Sequence, residues 1–226
     1  MSKLIFQLRQ FIYFAFFYFS FFSAIQAEQE PRRVLLILAH PSQESFNHSI
    51  ARNISLQLEK KGYEVQIRDL YLLGFDPILD EKSWKDYENQ ANPATSDILE
   101  EQQAILWANH LVFVYPTWWW SQPAILKGYF DRVFTPSFAF DNSVIPAKGK
   151  LLDKMVTIIQ TTGAPDEFVK EAGMDVAVKK LMQFGIFDFL GMEVLHHEIL
   201  TGINTKSYTE LKTVLEEIDL LISQLF

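Results

Sequence analysis

An uninterrupted apolar run with an abrupt polar end, Val34 to Ala39, constrains the fold more than any other feature of this sequence. Such a run forms a strand when both of its faces are buried, as in the centre of a parallel sheet that has helices on both sides. Leu111 to Tyr115 and Met155 to Gln160 have the same character. Glu64 to Arg68 and Val194 to Leu200 are the candidates for the two edge strands.

Helical patterns separate these five strands. Ile50, Ile54 and Leu58 share one helical face, and Pro123 suits the first turn of a later helix. Another helix is expected near residues 167–182, and a polar stretch near 76–97 is expected to be an irregular loop. The alternation predicts an α/β domain with a doubly wound five-stranded parallel sheet of order 2-1-3-4-5 and helices on both faces.

Residues 1–27 differ from the rest of the chain. Lys3 and Arg9 precede an uncharged, Phe-rich run from Gln10 to Ala27. This is the anatomy of a signal peptide, and an uncleaved membrane anchor is the alternative, because the run is only slightly shorter than a bilayer span. The α/β domain is expected over residues 33–226, either exported to the periplasm or anchored to the membrane with the domain in the cytoplasm.

Charge and cysteine content exclude several classes of function. Without residues 1–27 the net charge changes from −8 to −10, which disfavours sequence-independent binding of nucleic acid. The chain has no cysteine, so it has no disulfide, thiolate zinc site or cysteine nucleophile. Redox chemistry would therefore require a cofactor.

Doubly wound sheets bind ligands beyond the carboxyl ends of their strands, so the loops there are the candidate site. The first loop, His40 to Asn47, offers hydroxyls and a possible cation at a helix N-terminus. It is either a phosphate cradle or simply a capped helix with Ser42 or Ser45 as the cap. It contains neither Gly-x-Gly-x-x-Gly nor a Walker lysine motif, which makes a Rossmann dehydrogenase improbable.

The second loop, Pro116 to Pro123, contains Trp118, Trp119 and Trp120 in succession. Three indoles at a strand end favour a flat aromatic ligand, and a subunit or membrane interface is the alternative. The third loop, Thr161 to Pro165, offers hydroxyls and N–H groups to a polar ring edge, although alone it would be only a turn.

No metal site is expected from the histidines. His196 and His197 are adjacent on a strand and face opposite sides, and His48 and His110 have no acidic or histidine ligand partner nearby in the sequence.

Several short segments, taken in order, resemble the NAD(P)H:quinone oxidoreductases of the DT-diaphorase type and their bacterial relatives, the drug-quinone reductases and potassium-efflux ancillary oxidoreductases. The resemblance covers about Val34 to Ile203. It rests on Ala39-His40-Pro41 with Ser45-Phe46-Asn47, Asp69-Leu70-Tyr71 with Phe75-Asp76-Pro77, Pro116 with Trp119, Pro123 to Gly128, Asp131 to Phe134, and Thr161-Thr162-Gly163.

This resemblance implies a flavodoxin-like fold with bound flavin, FAD or FMN, and NAD(P)H as co-substrate. It places the flavin phosphate near His40, Ser45, Phe46 and Asn47. It places the flavin ring against Pro116, Thr117, Trp118, Trp119 and Trp120 and against Thr161, Thr162, Gly163 and Ala164. It also implies a homodimer and a two-electron ping-pong reaction in which reduced nicotinamide leaves before a quinone or similar aromatic acceptor enters.

The acceptor pocket is expected at Trp120, Phe138, Phe140 and Phe168, of which Phe138 and Phe140 resemble the aromatic residues that roof the family's pocket; ordinary core packing is their alternative. Phe168 stands where the family often has a tyrosine that assists hydride transfer, and the expected histidine nearby is missing. Ala164 replaces a frequent second glycine. Glu44 would repel a phosphate, so it is expected to face solvent.

Two other functions remain open at this stage. One is a flavodoxin-like carrier of single electrons. The other is a regulatory or binding flavoprotein that has lost hydride transfer, which the missing tyrosine hydroxyl would permit.

Overall fold

The computed structural model describes residues 32–89 and 95–226. The predicted signal peptide or membrane anchor lies outside these residues. Within them, no helix has both the length and the apolar character that crossing a bilayer requires.

Five parallel strands form the central sheet, and their order confirms the predicted 2-1-3-4-5 arrangement. The strands are β1 (Arg33–Leu38), β2 (Glu64–Asp69), β3 (His110–Pro116), β4 (Met155–Thr161) and β5 (Glu193–Leu200). Successive residues of β1 point to opposite faces, so Leu35 joins one apolar cluster and Leu36 the other. Burial of both faces explains why the central strands are continuously apolar.

Helices cover both faces of the sheet. They are α1 (Phe46–Lys60), α2 (Glu81–Glu88), α3 (Ser96–Trp107), α4 (Ala124–Val133), α5 (Asp166–Glu171), α6 (Met174–Met182) and α7 (Tyr208–Leu225). A π-helix (Gln183–Asp188) continues α6, and a 3-10 turn (Ile203–Thr205) precedes α7. A capping box formed by Ser207 and Glu210 begins α7. A short antiparallel ladder pairs Phe140–Asp141 with Lys148–Gly149.

Two helical segments differ from the sequence-based expectation. The supposed irregular loop contains α2, which buries no residue and begins at an Asp80 side chain that accepts the Ser83 N–H. The helix expected near residues 167–182 is two helices, α5 and α6. They are separated at Gly173, whose φ of 65° is left-handed and so interrupts a right-handed helix.

Candidate active site

The three predicted loops meet at the carboxyl edge of the sheet, because β1, β3 and β4 are neighbours. Backbone hydrogen bonds continue beyond the strands and join these loops. Thr117 N–H donates to Thr161 O across 2.6 Å, and Thr162 N–H donates to Leu200 O across 2.8 Å. The site is therefore held in place by the ladder of the sheet itself.

The first loop turns from β1 into the N-terminus of α1. Ser45 is the N-cap, and its Oγ accepts the His48 N–H. Nδ1 of His40 accepts the Ser42 N–H across 3.0 Å, and burial lowers the pKa of His40. The amides of a helix's first turn have no acceptor within the helix and favour an anion, so the observed capping by Ser45 is compatible with the predicted phosphate cradle. Glu44 is exposed, as expected.

Asn47 connects the first loop to the third. Its side chain is buried, and its Nδ2 donates to Thr161 Oγ1 across 3.0 Å. Asn47 is one of the predicted cofactor-binding residues, and its amide is committed to this bond between loops.

A buried pair that the sequence does not reveal lies behind this loop. His48 Nε2 is 2.9 Å from Asp69 Oδ2, and His48 Nδ1 is 2.9 Å from Ser45 Oγ. Burial opposes the charge on Asp69, but hydrogen bonds from His48, Gln43 and the Leu72 N–H outweigh it and lower the pKa of Asp69. His48 thus has an acidic partner, supplied by β2 and distant in sequence.

The three indoles of the second loop point in different directions. Trp119 and Trp120 both have left-handed φ values, 52° and 57°, at the centre of a tight turn closed by two hydrogen bonds between Trp118 and Ser121. The Trp118 ring lies 6.4 Å from that of His40, and Trp120 lies 6.0 Å from Phe168. Trp119 is 99 % exposed. Trp118 is therefore beside the His40 loop, and none of the three indoles is buried in the core.

This turn is strained, since left-handed φ costs a residue with a side chain roughly 1–2 kcal/mol. Such turns normally use Asn or Gly. Strained backbone of this kind is concentrated at functional sites. Here the strained turn exposes the whole Trp119 side chain to solvent.

The third loop, after β4, is supported from below by the residues that follow β5. Ala164 O accepts the Gly202 N–H across 2.8 Å, and Thr162 O accepts the Ile203 N–H across 3.0 Å. A Cβ on Gly163 would lie 2.6 Å from the Asn204 amide nitrogen, so only glycine fits without displacing Asn204. Asn204 is a supporting residue that the sequence did not single out.

The predicted acceptor-pocket residues do not all come together within this chain. Trp120 and Phe168 do. Phe140, however, is buried in the core, with its ring 5.3 Å from Phe189 and 6.2 Å from Tyr87. Phe138 is partly buried against the same cluster. Within this chain, Phe138 and Phe140 therefore pack in the core. The segment after α4 directs both side chains toward the core and not toward Trp120.

A cavity of about 300 Å³ lies beside Trp120, between β3, β4 and α6. One of its polar lining residues is Gln160, whose Oε1 is 3.0 Å from His197 Nε2 and whose Nε2 donates to Thr117 Oγ1 across 2.7 Å. Burial lowers the pKa of His197 to about 3. The neutral His197 therefore donates to Gln160 Oε1, and this fixes the orientation of the Gln160 amide. Gln160 is a site residue that the sequence did not indicate.

No group of three or more His, Asp or Glu residues could hold a metal ion in the part of the chain that the structure describes.

Comparison with known proteins gives a consistent result. The model of a flavodoxin-like fold family matches residues 32–221. NAD(P)H dehydrogenase (quinone) 1 of Cavia porcellus is 35 % identical over an alignment of 190 residues that covers 76 % of this chain and 69 % of that protein. Ribosyldihydronicotinamide dehydrogenase (quinone) of Rattus norvegicus is 33 % identical over an alignment of 204 residues that covers 81 % of this chain and 87 % of the relative. An NAD(P)H:quinone oxidoreductase structure from Methanothermobacter marburgensis superposes with a TM-score of 0.79 at 26 % identity, covering 86 % of this chain and 99 % of the other.

Proposed function

Since this chain belongs to the flavodoxin-like family of NAD(P)H quinone oxidoreductases, we propose that it binds a flavin at the three strand-end loops and reduces a quinone or similar aromatic acceptor with NAD(P)H. The observation that carries the proposal is the exposed Trp118, whose ring lies 6.4 Å from that of His40 on the loop that leads into a phosphate-suited helix N-terminus. A planar cofactor with a phosphate tail needs both features.

The residues present fit a flavin. Ser45 and the first-turn amides of α1 would hold the phosphate, because that helix end carries partial positive charge and N–H groups without helical acceptors. Trp118 offers flat apolar surface at the mouth of the same loop, and the adjacent Trp119 exposes its whole side chain. The close approach of Gly163 to Asn204 keeps the third loop narrow, so its backbone can reach a ring edge.

When bound there, the flavin supplies the hydride chemistry, in a ping-pong sequence, that couples oxidation of NAD(P)H to reduction of the acceptor. The chain contributes position and orientation. Gln160 donates to Thr117 Oγ1, which leaves the Thr117 hydroxyl hydrogen free to donate into the site. Trp120 and Phe168, whose rings lie 6.0 Å apart, would offer apolar surface to one side of the ring.

Phe168 gives the chain no hydroxyl at that wall. A phenyl ring neither donates nor accepts a conventional hydrogen bond, so it cannot stabilise charge that develops during hydride transfer. The proposed enzyme relies on stacking and on backbone N–H groups, and we expect slower turnover than an enzyme with a tyrosine there.

The proposal extends to a homodimer. The α6 helix and the π-helix that follows it expose Val176, Leu181 and Phe184, and Phe189 is also exposed. Several exposed large apolar side chains within one segment are typical of a protein interface, and a second copy is the partner that family membership favours. Sedimentation of the full-length chain should give twice the monomer mass, and Phe184→Glu should shift it to the monomer.

The test of the proposed function uses the purified full-length chain. We expect a yellow protein that oxidises NADH or NADPH when menadione is added, with FAD or FMN identified by chromatography of the released cofactor. A yellow protein without turnover would contradict the enzymatic proposal and favour an electron carrier, and a colourless protein that binds no added flavin would contradict it entirely. Trp119→Ala should weaken flavin retention, whereas Trp84→Ala, at an exposed tryptophan on α2, should not.

A further inference from the structure

Three side chains form a hydrogen-bonded row that runs into the protein from the loop His40 to Asn47 at the N-terminus of α1, here called the cradle. Ser45 Oγ is 2.9 Å from His48 Nδ1, and His48 Nε2 is 2.9 Å from Asp69 Oδ2. His48 is 3 % exposed and Asp69 is 7 % exposed, whereas Ser45 is only partly buried. The row therefore has one accessible end, at the helix N-terminus proposed to hold the flavin phosphate.

Asp69 fixes one end of the row. Its Oδ2 accepts Gln43 Nε2–H across 2.8 Å, and its Oδ1 accepts the N–H groups of Tyr71 and Leu72 across 3.2 Å each. A carboxyl group surrounded by donors is a carboxylate, in agreement with the lowered pKa of Asp69. Because a carboxylate only accepts, His48 Nε2 must carry a hydrogen and donate it.

The other end of the row has two arrangements. Ser45 Oγ accepts the His48 N–H across 3.3 Å and has a single hydrogen of its own. If His48 Nδ1 carries no hydrogen, it accepts the Ser45 hydrogen, which then points inward. If Nδ1 is protonated, it donates to Ser45 Oγ, and the Ser45 hydrogen is free to face an anion in the cradle.

Building on the proposed flavin site, we infer that His48 and Asp69 are positioning residues that turn the Ser45 hydroxyl toward the flavin phosphate, with His48 taking up one proton as the phosphate binds. The proton comes from solvent and rests on Nδ1. The imidazolium then lies between the Asp69 carboxylate and the Ser45 hydroxyl, one hydrogen bond away from the phosphate. A charge-assisted row of this kind is stronger than a neutral one.

The charged and titratable groups around His48 are consistent with this. Asp69 faces it from the end of β2 and stabilises a positive ring. The His40 ring, on the loop after β1, lies 6.2 Å away in an edge-on arrangement, and a positive His48 would oppose protonation of His40. Arg52 on α1 donates to Gln43 O across 3.3 Å, and Glu44, in the loop before α1, is exposed. From the loop after β3 the nearby group is Trp118, next to His40, which has no charge.

The decisive measurement needs no variant. Flavin-free full-length protein is titrated calorimetrically with FMN, FAD and riboflavin at pH 8, in two buffers of different ionisation enthalpy. At this pH the FMN phosphate is already a dianion, so it contributes little to proton uptake. We expect about one proton taken up for each FMN or FAD bound and none for riboflavin, since riboflavin has no phosphate.

Variants then locate the effect. His48→Phe should weaken FMN binding about tenfold to a hundredfold while changing riboflavin binding less than about twofold. His48→Asn should recover part of this without proton uptake, because its amide can donate to Ser45 Oγ without a charge. His110→Asn, at a buried histidine on β3, is the matched control and should leave the ratio of FMN to riboflavin affinity unchanged.

The outcomes separate the two proposals. If flavins bind but phosphorylated and unphosphorylated forms release or take up equal numbers of protons, the role of His48 is overturned and the flavin site stands. If His48→Phe weakens riboflavin as much as FMN, the residue is merely structural and the inference is also overturned. If no flavin binds the wild-type protein, the proposed function fails and this inference fails with it.

Discussion

The buried side chains of Asn47 and Thr161 are joined by a 3.0 Å hydrogen bond although 114 positions separate them in the sequence. This contact fastens the start of α1 to the end of β4, two elements that flank the candidate site. It holds the loops after β1 and β4 at a fixed distance before any ligand arrives.

Breaking this contact should destabilise the domain. Asn47→Leu leaves the Thr161 hydroxyl buried without its donor, and we expect the free energy of unfolding to fall by about 1–3 kcal/mol. Thr161→Val should cost a similar amount, while the double variant should cost less than the sum, because it leaves no polar group unpaired. Urea denaturation measures all three. Asn89→Leu, at an exposed amide, is the control, and additive losses would refute the coupling.

Relieving the strained turn should separate stability from binding. Trp119→Gly removes a side chain that has no packing to lose and places glycine at a φ of 52°, so the free energy of unfolding should rise by about 1 kcal/mol. Flavin affinity should fall at the same time. Thermal unfolding and fluorescence titration measure the two effects. A lower free energy of unfolding in the variant would contradict this prediction, because it would mean that the Trp119 side chain makes stabilising contacts.

A hydroxyl restored at position 168 should accelerate hydride transfer. Phe168 is 54 % exposed, so Phe168→Tyr buries no unpaired polar group. We expect kcat/KM for NAD(P)H to rise by about tenfold or more. Phe168→Leu, which keeps an apolar side chain, should give no gain. An unchanged rate in the tyrosine variant would show that this position does not limit the reaction.

Two buried histidines should make the fold sensitive to acid. Burial lowers the pKa of His110 and of His197 from 6.5 to about 3, so below pH 6.5 the unfolded chain binds protons that the folded chain does not. The two neutral histidines contribute fully to the free energy of unfolding above pH 6.5. As the pH falls from 6.5 toward 3, each histidine lowers the free energy of unfolding by about 1.4 kcal/mol per pH unit.

His197→Gln provides the test, because its amide can still donate to Gln160 but does not titrate. Between pH 7 and pH 5 the free energy of unfolding should fall less steeply in the variant than in the wild type. The difference between the two slopes should correspond to about one proton, that is, about 1.4 kcal/mol per pH unit. Parallel pH profiles would contradict the assigned burial of His197.

The sheet could be predicted from the sequence almost to the residue, because strands buried on both faces leave continuous apolar runs that periodicity detects. The α2 helix could not. None of its residues is fully buried, so no apolar stripe marks it, and it depends on an Asp80 cap and a surface pair between Glu81 and Lys85. The prediction of a loop was wrong because local polar contacts, not burial, specify that segment.

The loops of the site were also predictable, but their supports were not. Asp69 meets His48 across 21 positions and Gln160 meets Thr117 across 43. Such pairings arise when the sheet brings strand ends together, and neither partner carries a local signal. The sequence places Phe140 in an aromatic segment, but whether its ring faces core or pocket depends on Tyr87 and Phe189, which only the fold supplies.

The backbone bonds between the strand-end loops, from Thr117 to Thr161 and from Thr162 to Leu200, mean that the binding surface is ordered as part of folding. A ligand that docks there is spared most of the entropy loss that freezing a floppy loop would impose. Substitutions of the three tryptophans can then change which ligands the surface accepts, while the backbone that supports it stays the same. Related enzymes can diversify in this way.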